Sequence, residues 1–392
     1  MNLLMAYSYK NIFARKLTST LTIAGVALVA FVFCAVLMLT NGLKQTLVDT
    51  GNDDNVTVIR RASKTEIQSI MPLSMGKIII SDQAFAQSET GEPMVATEIM
   101  VLISQPKRGY SEKETSNVPV RGVSKMSFDV RSNIKIKEGR MFTPGTSEVI
   151  AGTKVAKGFQ GCQIGGTVRF ASRDWTIVGI FDGGGSGFDN ELWGDYDQLS
   201  AAFERPIYSS LTGRLKSHDL YDDLKKRLNA DPRLIIDVDR EKDYYAKQSS
   251  FTTTYISILG TVISIIFSLG AIVGAMITMY ATVADRTKEI GTLRALGFSR
   301  FSLLITFLVE AVMMSVIGGL LGIGIAYFLR FYEVSTTNWD TFAEIAFSFE
   351  ISPGIIIGTL IFSIVMGFVG GFLPAARASR LKILTALRAK AR

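Results

Sequence analysis

Four long apolar stretches constrain this chain more than any other feature, because of how they are spaced. Leu21 to Leu39, Tyr255 to Ala284 and Ile351 to Ala376 contain no charged residue, and Phe301 to Leu329 contains only Glu310. A helix of about 20 apolar residues crosses a hydrocarbon core of about 30 Å, and a soluble core helix needs no such uncharged run. The stretches predict an integral membrane α-helical protein with four transmembrane helices. One comes early in the chain and three are grouped late, a 1+3 arrangement. The segment between helices 1 and 2 is expected to form a large inserted α+β extracytoplasmic domain.

The net charge of +7 could indicate a nucleic-acid binder, but its distribution points to topology. Lys10, Arg15 and Lys16 precede the first stretch with no acidic residue among them. Arg286, Lys288, Arg294 and Arg300 lie between the second and third, opposed only by Asp285 and Glu289. Arg377, Arg380, Lys382, Arg388, Lys390 and Arg392 end the sequence unopposed, whereas the connection after the third stretch carries Glu333, Asp340, Glu344 and Glu350. By the positive-inside rule both termini and the 285–300 loop are cytoplasmic, and the large domain and acidic loop are external. The basic excess is expected to touch anionic lipid headgroups, with no nucleic-acid partner. The apolar core of the first stretch exceeds that of a signal peptide, so an uncleaved anchor is expected. An intrachain disulfide between Cys34, within that stretch, and Cys162, in the external domain, is geometrically implausible.

The expected division is 1–16 a cytoplasmic amphipathic elbow, 17–41 the first transmembrane helix, 42–250 the external domain and 251–284 the second helix. Then follow 285–300 a cytoplasmic loop, 301–330 the third helix, 331–350 a short external loop, 351–376 the fourth helix and 377–392 a basic cytoplasmic tail. Within the external domain, alternation in Val56 to Ile59, Val95 to Ile103, Thr167 to Phe170 and Thr176 to Phe181 reads as strand. Asp219 to Leu228 has helical spacing, and Asp231-Pro232 breaks it before a strand at Leu234 to Ile236. A β-rich piece near Val118–Asp182 and an α/β piece from the flanking segments are expected. No turn signal separates Asp239–Ser250 from the second stretch, so one helix should run from the domain into the membrane.

Enzyme chemistry finds little support. No G-x-x-x-x-G-K-[ST] sequence occurs, and Gly183 to Gly187 lacks the Lys and following helix of a phosphate loop, so it reads as a flexible loop. His218, the only histidine, has no ligand partner at metal spacing and no G-x-S-x-G elbow to serve. Glu310 is the one ionisable residue well inside a span and invites a packing or a conformational role. A proton relay is disfavoured because no second intramembrane carboxylate, Lys or His accompanies it. Small residues at Gly270, Gly274, Gly318, Gly319 and Gly322 are expected to let helices approach closely, within one chain and across a dimer.

The sequence from Arg286 to Gly297, R-T-K-E-I-G-T-L-R-A-L-G, resembles the R-T-x-E-I-G-x-x-[RK]-A-[LV]-G signature of FtsX/MacB-type ABC transporter permeases. Phe307 to Ala311 and Gly318 to Gly322 resemble that family's third helix, Glu310 included. Asn11 to Ser19 and Pro374 to Leu381 resemble its elbow and exit motifs. Val120 to Val123, Glu138 to Phe142 and Ile177 to Phe181 resemble its periplasmic core domain. Lys382 to Arg388 departs from the Asp-Pro that often precedes the final A-L-R in the family.

The resemblance implies a permease subunit in the cell inner membrane, with no fused nucleotide-binding domain and hence a separate ABC ATPase subunit carrying ATP and Mg. It implies a coupling helix in 285–300, with Asp285, Arg286, Lys288, Glu289, Ile290, Leu293, Arg294 and Leu296 as ATPase contacts. It further implies a second copy or a similar permease, a periplasmic adaptor, and export or extraction of a lipid, lipoprotein, peptide or drug-like substrate. No cofactor, metal or catalytic residue is expected on this chain. The alternative is an FtsX-like regulator that activates an extracellular hydrolase or sensor without transport.

Overall fold

The structure, a computed structural model, describes residues 16–381. The expected elbow at 1–16 up to Arg15, and the basic tail from Lys382 onward, lie outside the described residues. The chain divides into a helical unit (16–42, 255–332 and 348–381) and an α/β unit (43–254 and 333–347). The elements in chain order begin with α1 (Lys16–Val48), β1 (Asn55–Arg60), β2 (Met71–Pro72), α2 (Leu73–Ile80), β3 (Val95–Pro106), β4 (Thr115–Val123), α3 (Met126–Val130), β5 (Lys135–Gly139) and β6 (Glu148–Gly152). Then come α4 (Thr153–Gly158), β7 (Thr167–Phe170), β8 (Arg173–Asp182), β9 (Leu192–Asp195), α5 (Tyr196–Ala202), β10 (Ile207–Tyr208), β11 (Ser210–Arg214), α6 (Tyr221–Ala230) and β12 (Ile236–Arg240). The last are α7 (Glu241–Asp285), α8 (Thr287–Ala295), α9 (Arg300–Tyr327), β13 (Glu333–Thr337), β14 (Glu344–Ser348) and α10 (Pro353–Ser379).

Four of these helices are long and apolar enough to cross a membrane, with mean hydropathies of 2.7, 2.4, 2.2 and 2.3 in chain order. The first extends to Val48, beyond the expected end at 41. The second begins at Glu241, so α7 is one helix of 45 residues that runs unbroken through Gly260 and Gly270. Ser352 caps α10 by accepting a hydrogen bond from the Ile355 N–H, and Pro353 fills the first turn, where its missing donor costs nothing.

Within the helical unit, small residues decide which helices meet. A Cβ on Gly318 would stand 2.9 Å from the Ile23 carbonyl oxygen of α1, and one on Gly322 would stand 2.6 Å from that of Ala27. Gly319 faces the Ser363 hydroxyl of α10, while Gly367 and Gly371 face Ser315 and Ala311 of α9. These contacts make Gly318, Gly319 and Gly322 packing residues, as close backbone approach requires. Gly270 and Gly274 differ. Both are exposed, and an added Cβ would meet nothing within 4 Å, so the within-chain packing expected there does not occur.

The α/β unit is built on a mixed ten-stranded sheet in the order β12-β1-β11-β3-β4-β9-β6-β8-β5, with β7 paired to β8. Only β4–β9 and β6–β8 are parallel. The β-rich and α/β pieces expected from the sequence share this one sheet, but their cores stay distinct. Ile99, Val120, Trp175, Ile177 and Leu199 pack in one cluster, and Val56, Ile79, Leu211, Leu224 and Ile236 in another. Period-two alternation in β8 buries Trp175, Ile177 and Phe181, and helical spacing in α6 buries Leu224 and Leu228. The strand expected at Leu234–Ile236 starts at its last residue and runs on to Arg240.

The acidic 331–350 segment is more than a loop. Its strands β13 and β14 pair as a hairpin that belongs to the α/β unit, where Ala343, Ile345 and Phe347 are buried. Lys107 pairs with Glu344 at 2.6 Å, Lys154 Nζ donates to the Ala346 carbonyl, and Asn190 Oδ1 accepts the Ala346 N–H at 2.8 Å. The acidic residues read as topology signals thus include a domain contact.

A buried charge cluster lies among these strands. Arg121 is fully buried and donates to Glu66 (2.8 and 3.0 Å), Glu98 (2.6 Å) and Glu191 (2.7 and 2.9 Å). Arg131 pairs with Glu98 and with Glu241 at 3.2 Å, and both guanidinium groups lie over the Phe188 ring. Two arginines therefore face four glutamates. The excess negative charge is met by neutral donors. Ser210 Oγ donates to Glu66, Trp193 Nε1 to Glu191, and the Asn52 N–H and Asn55 Nδ2 to Glu241. Burial opposes the charge of Arg121, yet Glu191, Glu66 and Glu98 more than reverse it and hold its pKa well above the ordinary value. Burial pushes Glu191 and Glu241 up against the pull of Arg121 and Arg131, respectively. For Glu66 burial is again the largest single effect, but Arg121, Ser210 and Arg131 together outweigh it and keep the carboxyl below its usual range.

Removing one partner of a buried ion pair leaves an uncompensated charge, which costs about 3–5 kcal/mol. Arg121→Met in the full-length chain should lower the unfolding free energy of the α/β unit by that amount, followed by the fluorescence of buried Trp175 and Trp193. A loss under about 1 kcal/mol would contradict the assigned role. The pH dependence has a defined sign. A carboxyl raised in the folded state, such as Glu191 or Glu241, adds stability that is complete below its unfolded pKa and lost as pH rises through the folded one. A lowered carboxyl such as Glu66 adds stability present above its unfolded pKa and lost as pH falls through the folded one. The melting temperature of this unit should therefore hold or rise from about pH 8 to about pH 5 and fall only below about pH 4. A steady decline starting at neutrality would refute this assignment.

Candidate functional site

The hairpin joining α7 to α9 is the most densely patterned segment of the chain. α7 ends at Asp285, and Arg286 leaves helical geometry (φ −98°, ψ 14°) before α8 begins at Thr287. α8 stops at a glycine. Gly297 takes φ +97°, its N–H donates to the Arg294 carbonyl, and the Phe298 N–H donates to the Leu293 carbonyl. This paired closure satisfies the last carbonyls of the helix and requires a left-handed residue, which glycine supplies without a Cβ clash. Ser299 then caps α9 by accepting from the Ser302 N–H at 3.1 Å, so the reversal takes only a few residues.

The hairpin residues expected as ATPase contacts separate into two faces. Ile290 is buried among Met279, Val283, Leu303, Phe307, Ala375 and Ala378, with Leu293 packed beside them. Asp285, Lys288, Glu289 and Leu296 are exposed, Leu296 at 72%. Arg294 is half-buried, and its Nη1 donates to the Phe298 carbonyl across the hairpin turn. Arg286 is buried at 3% exposure, so its side chain is not an outward contact.

Instead, Arg286 Nη1 reaches Glu310 at 3.1 Å, Nε reaches Glu289 at 3.3 Å, and the guanidinium lies 5.1 Å from the centre of the Phe307 ring. Glu310 is 6% exposed and therefore sits in the bundle interior. The spans themselves offer Glu310 no second carboxylate, Lys or His. Its companion stands just past the end of α7, two residues beyond the apolar run. The available signal was an arginine at a span boundary followed by a lone acid in the next span. An isolated carboxylate at that depth is costly, and a hydrogen-bonded guanidinium offsets part of that cost.

The other sequence candidates are placed plainly. The loop from Gly183 to Gly187 is tied down: Asp189 accepts the N–H groups of Gly183 (2.7 Å) and Gly185 (2.9 Å). It holds Phe188 under the two arginines and is better read as a support for the charge cluster than as a flexible loop. His218 is exposed, with Arg240 Nη1 2.8 Å from its Nδ1. Sequence reading missed the charge cluster itself. Its signal was Glu98 and Arg121 standing inside strands whose neighbours are apolar, positions where a lone charge would be untenable.

Comparison with known proteins supplies the family. Residues 19–231 match the MacB-like periplasmic core domain, and residues 261–383 match the FtsX-like permease C-terminal domain. The uncharacterized ABC transporter permease YknZ of Bacillus subtilis (strain 168) is 27% identical over 414 residues, covering 99% of this chain and 98% of that protein. The macrolide export ATP-binding/permease protein MacB of Neisseria gonorrhoeae is 27% identical over 412 residues, covering 97% of this chain. This chain spans 60% of that relative's length. Among solved structures, the extracellular domain of YknZ from Gram-positive bacteria aligns with a TM-score of 0.35 and 16% identity, over 47% of this chain and 99% of that one. The periplasmic region of MacB from Actinobacillus actinomycetemcomitans aligns with a TM-score of 0.37 and 15% identity, over 50% of this chain and 92% of that one. The two domain matches together run from residue 19 to residue 383, and the chain belongs to the FtsX/MacB-type ABC transporter permeases.

Proposed function

We propose that this multi-pass ABC transporter permease works as a mechanical subunit, converting ATP binding and hydrolysis on a separate ATPase subunit into motion of its α/β domain. The observation that carries the reading is the two-faced hairpin helix. Ile290 and Arg286 fix α8 from within, and Asp285, Lys288, Glu289, Thr292 and Leu296 are left on the accessible surface. A helix of alternating charges with one exposed leucine suits docking into a groove on another protein. In this reading 285–300 and both termini are cytoplasmic, in keeping with the basic residues there and the acidic ones at 333–350. The α/β domain, inserted between the first helix and the other three, is extracytoplasmic, and the membrane is the cell inner membrane.

ATP and Mg would sit on the partner chain. An ATP-binding component takes support from a relative whose name joins ATP-binding and permease functions. A second copy or a similar permease would pack on the exposed face of α7, where Gly270 and Gly274 leave room for a neighbouring helix. A periplasmic adaptor would complete an export assembly. The substrate class we favour is a lipid, lipoprotein, peptide or drug-like molecule expelled or extracted by the external domain.

Isolation of the tagged full-length chain from its native membrane, with mass spectrometry of what accompanies it, tests the coupling assignment. An ABC-type ATP-binding subunit should be recovered, and Leu296→Asp should reduce its recovery at least about tenfold. Recovery of the ATPase at the wild-type level with both Leu296→Asp and Lys288→Glu would sink the assignment. Recovery of a cell-wall hydrolase in place of any adaptor would favour a regulator over a transporter.

A further inference from the structure

The helical unit contains a small cavity of about 30 Å³, lined by Thr22, Thr278, Thr282, Ser315 and the carboxylate-bearing Glu310. Thr22 and Thr278 also share a hydrogen bond of 2.9 Å across α1 and α7. A space accepts a water once the centre of the water has about 10–15 Å³ to occupy and two or more polar partners to meet. This one meets both conditions. Glu310 therefore meets a guanidinium, that of Arg286, and also a space suited to water. Arg286 does not line that space.

Arg286 occupies the one non-helical position between α7 and α8, so its side chain is attached where the chain changes direction. Its Nη1 lies 3.1 and 3.4 Å from the two carboxylate oxygens of Glu310, two turns and more into α9. We propose that Arg286 and Glu310 form a hydrated latch, a positioning pair that fixes the direction in which α8 leaves α7 and so sets which residues the hairpin presents outward. A water held in that space would lower the cost of separating the pair, which would make the latch releasable where a dry buried pair would be locked. The value of this latch to coupling rests on the proposed ATPase contact. The latch itself does not.

Hydrogen exchange of the full-length chain in lipid nanodiscs, read over residues 288–296, tests it. Glu310→Gln and Arg286→Gln should each speed exchange there by about tenfold or more, with no change in β3 and β4. The double variant should exchange no faster than the faster single variant, because the pair is lost once. Arg286→Lys should recover only part of the protection, since an ammonium lacks the planar fork. Unchanged exchange in both single variants would overturn the latch, as would independent, multiplicative effects in the double. Should a single variant fail to accumulate, the double variant, in which neither member of this buried pair is left charged opposite a neutral one, should accumulate. Its failure to do so would also overturn the proposal. The two readings fail separately. Fast exchange in Glu310→Gln with ATPase recovery indifferent to Leu296→Asp leaves the latch and removes the coupling contact, and the reverse result removes the latch alone.

Discussion

The α/β unit depends on one buried guanidinium. Arg121 binds carboxylates from three separate places in the chain: Glu66 after β1, Glu98 in β3 and Glu191 beside β9. None of these groups can be buried alone, because the desolvation of each is offset only when the others are in position. The cluster therefore acts as an all-or-none condition on the strand order around β3, β4 and β9. Arg131 extends it through Glu98 to Glu241, the first residue of α7, and Tyr244 accepts the Glu66 N–H one turn later. The root of the 45-residue helix is thus held by electrostatics as well as by the apolar packing of Tyr244 and Tyr245.

The helical unit is organised on another basis. Lipid tails provide no hydrophobic drive between helices, so contact depends on small residues and on hydroxyls that satisfy themselves. Thr359 and Ser363 return their hydroxyls to carbonyls one turn back in α10, and Thr306 does the same in α9. The glycines at 318, 319, 322, 367 and 371 then allow α9 to meet α1 and α10 closely. α7 takes part through Gly260, which lies against Val36 of α1, and through Ala275, which faces Gly370 of α10, yet it is the least covered of the four. Its most apolar window is only 17% buried, against 50% for α9. The apolar face of α7 that its own chain leaves exposed is suited to lipid or to another helix.

Much of this was legible in the sequence, and the limits have physical causes. The spans were readable because hydropathy over a long window needs no tertiary information, and the union of domain and membrane segments in α7 followed from a missing turn signal. The hairpin signature was readable as a resemblance. Pairings across distance were not. Nothing local in Arg121 says that it will meet Glu66, and nothing in Glu344 says that it will meet Lys107 and draw 333–347 into the α/β unit. Side-chain direction was lost in the same way: Gly270 and Gly318 look alike in sequence, yet one is exposed and the other lies against α1.

The hairpin divides a few residues between a buried face and an exposed one. Positions 286 and 290 lie one helical turn apart, and both turn inward, toward Glu310 and the Phe307 cluster respectively. Positions 288, 292 and 296 repeat the same spacing on the opposite side and remain exposed. Glu289 stands between the faces, exposed yet within 3.3 Å of the Arg286 guanidinium. A partner that engaged Glu289 from outside would compete with Arg286 for it, and the balance of that arginine between Glu289 and Glu310 would shift. The chemistry of the outer face is therefore tied to the geometry of the inner one through a single guanidinium, so a contact made at Glu289 would be felt at Glu310 inside the bundle.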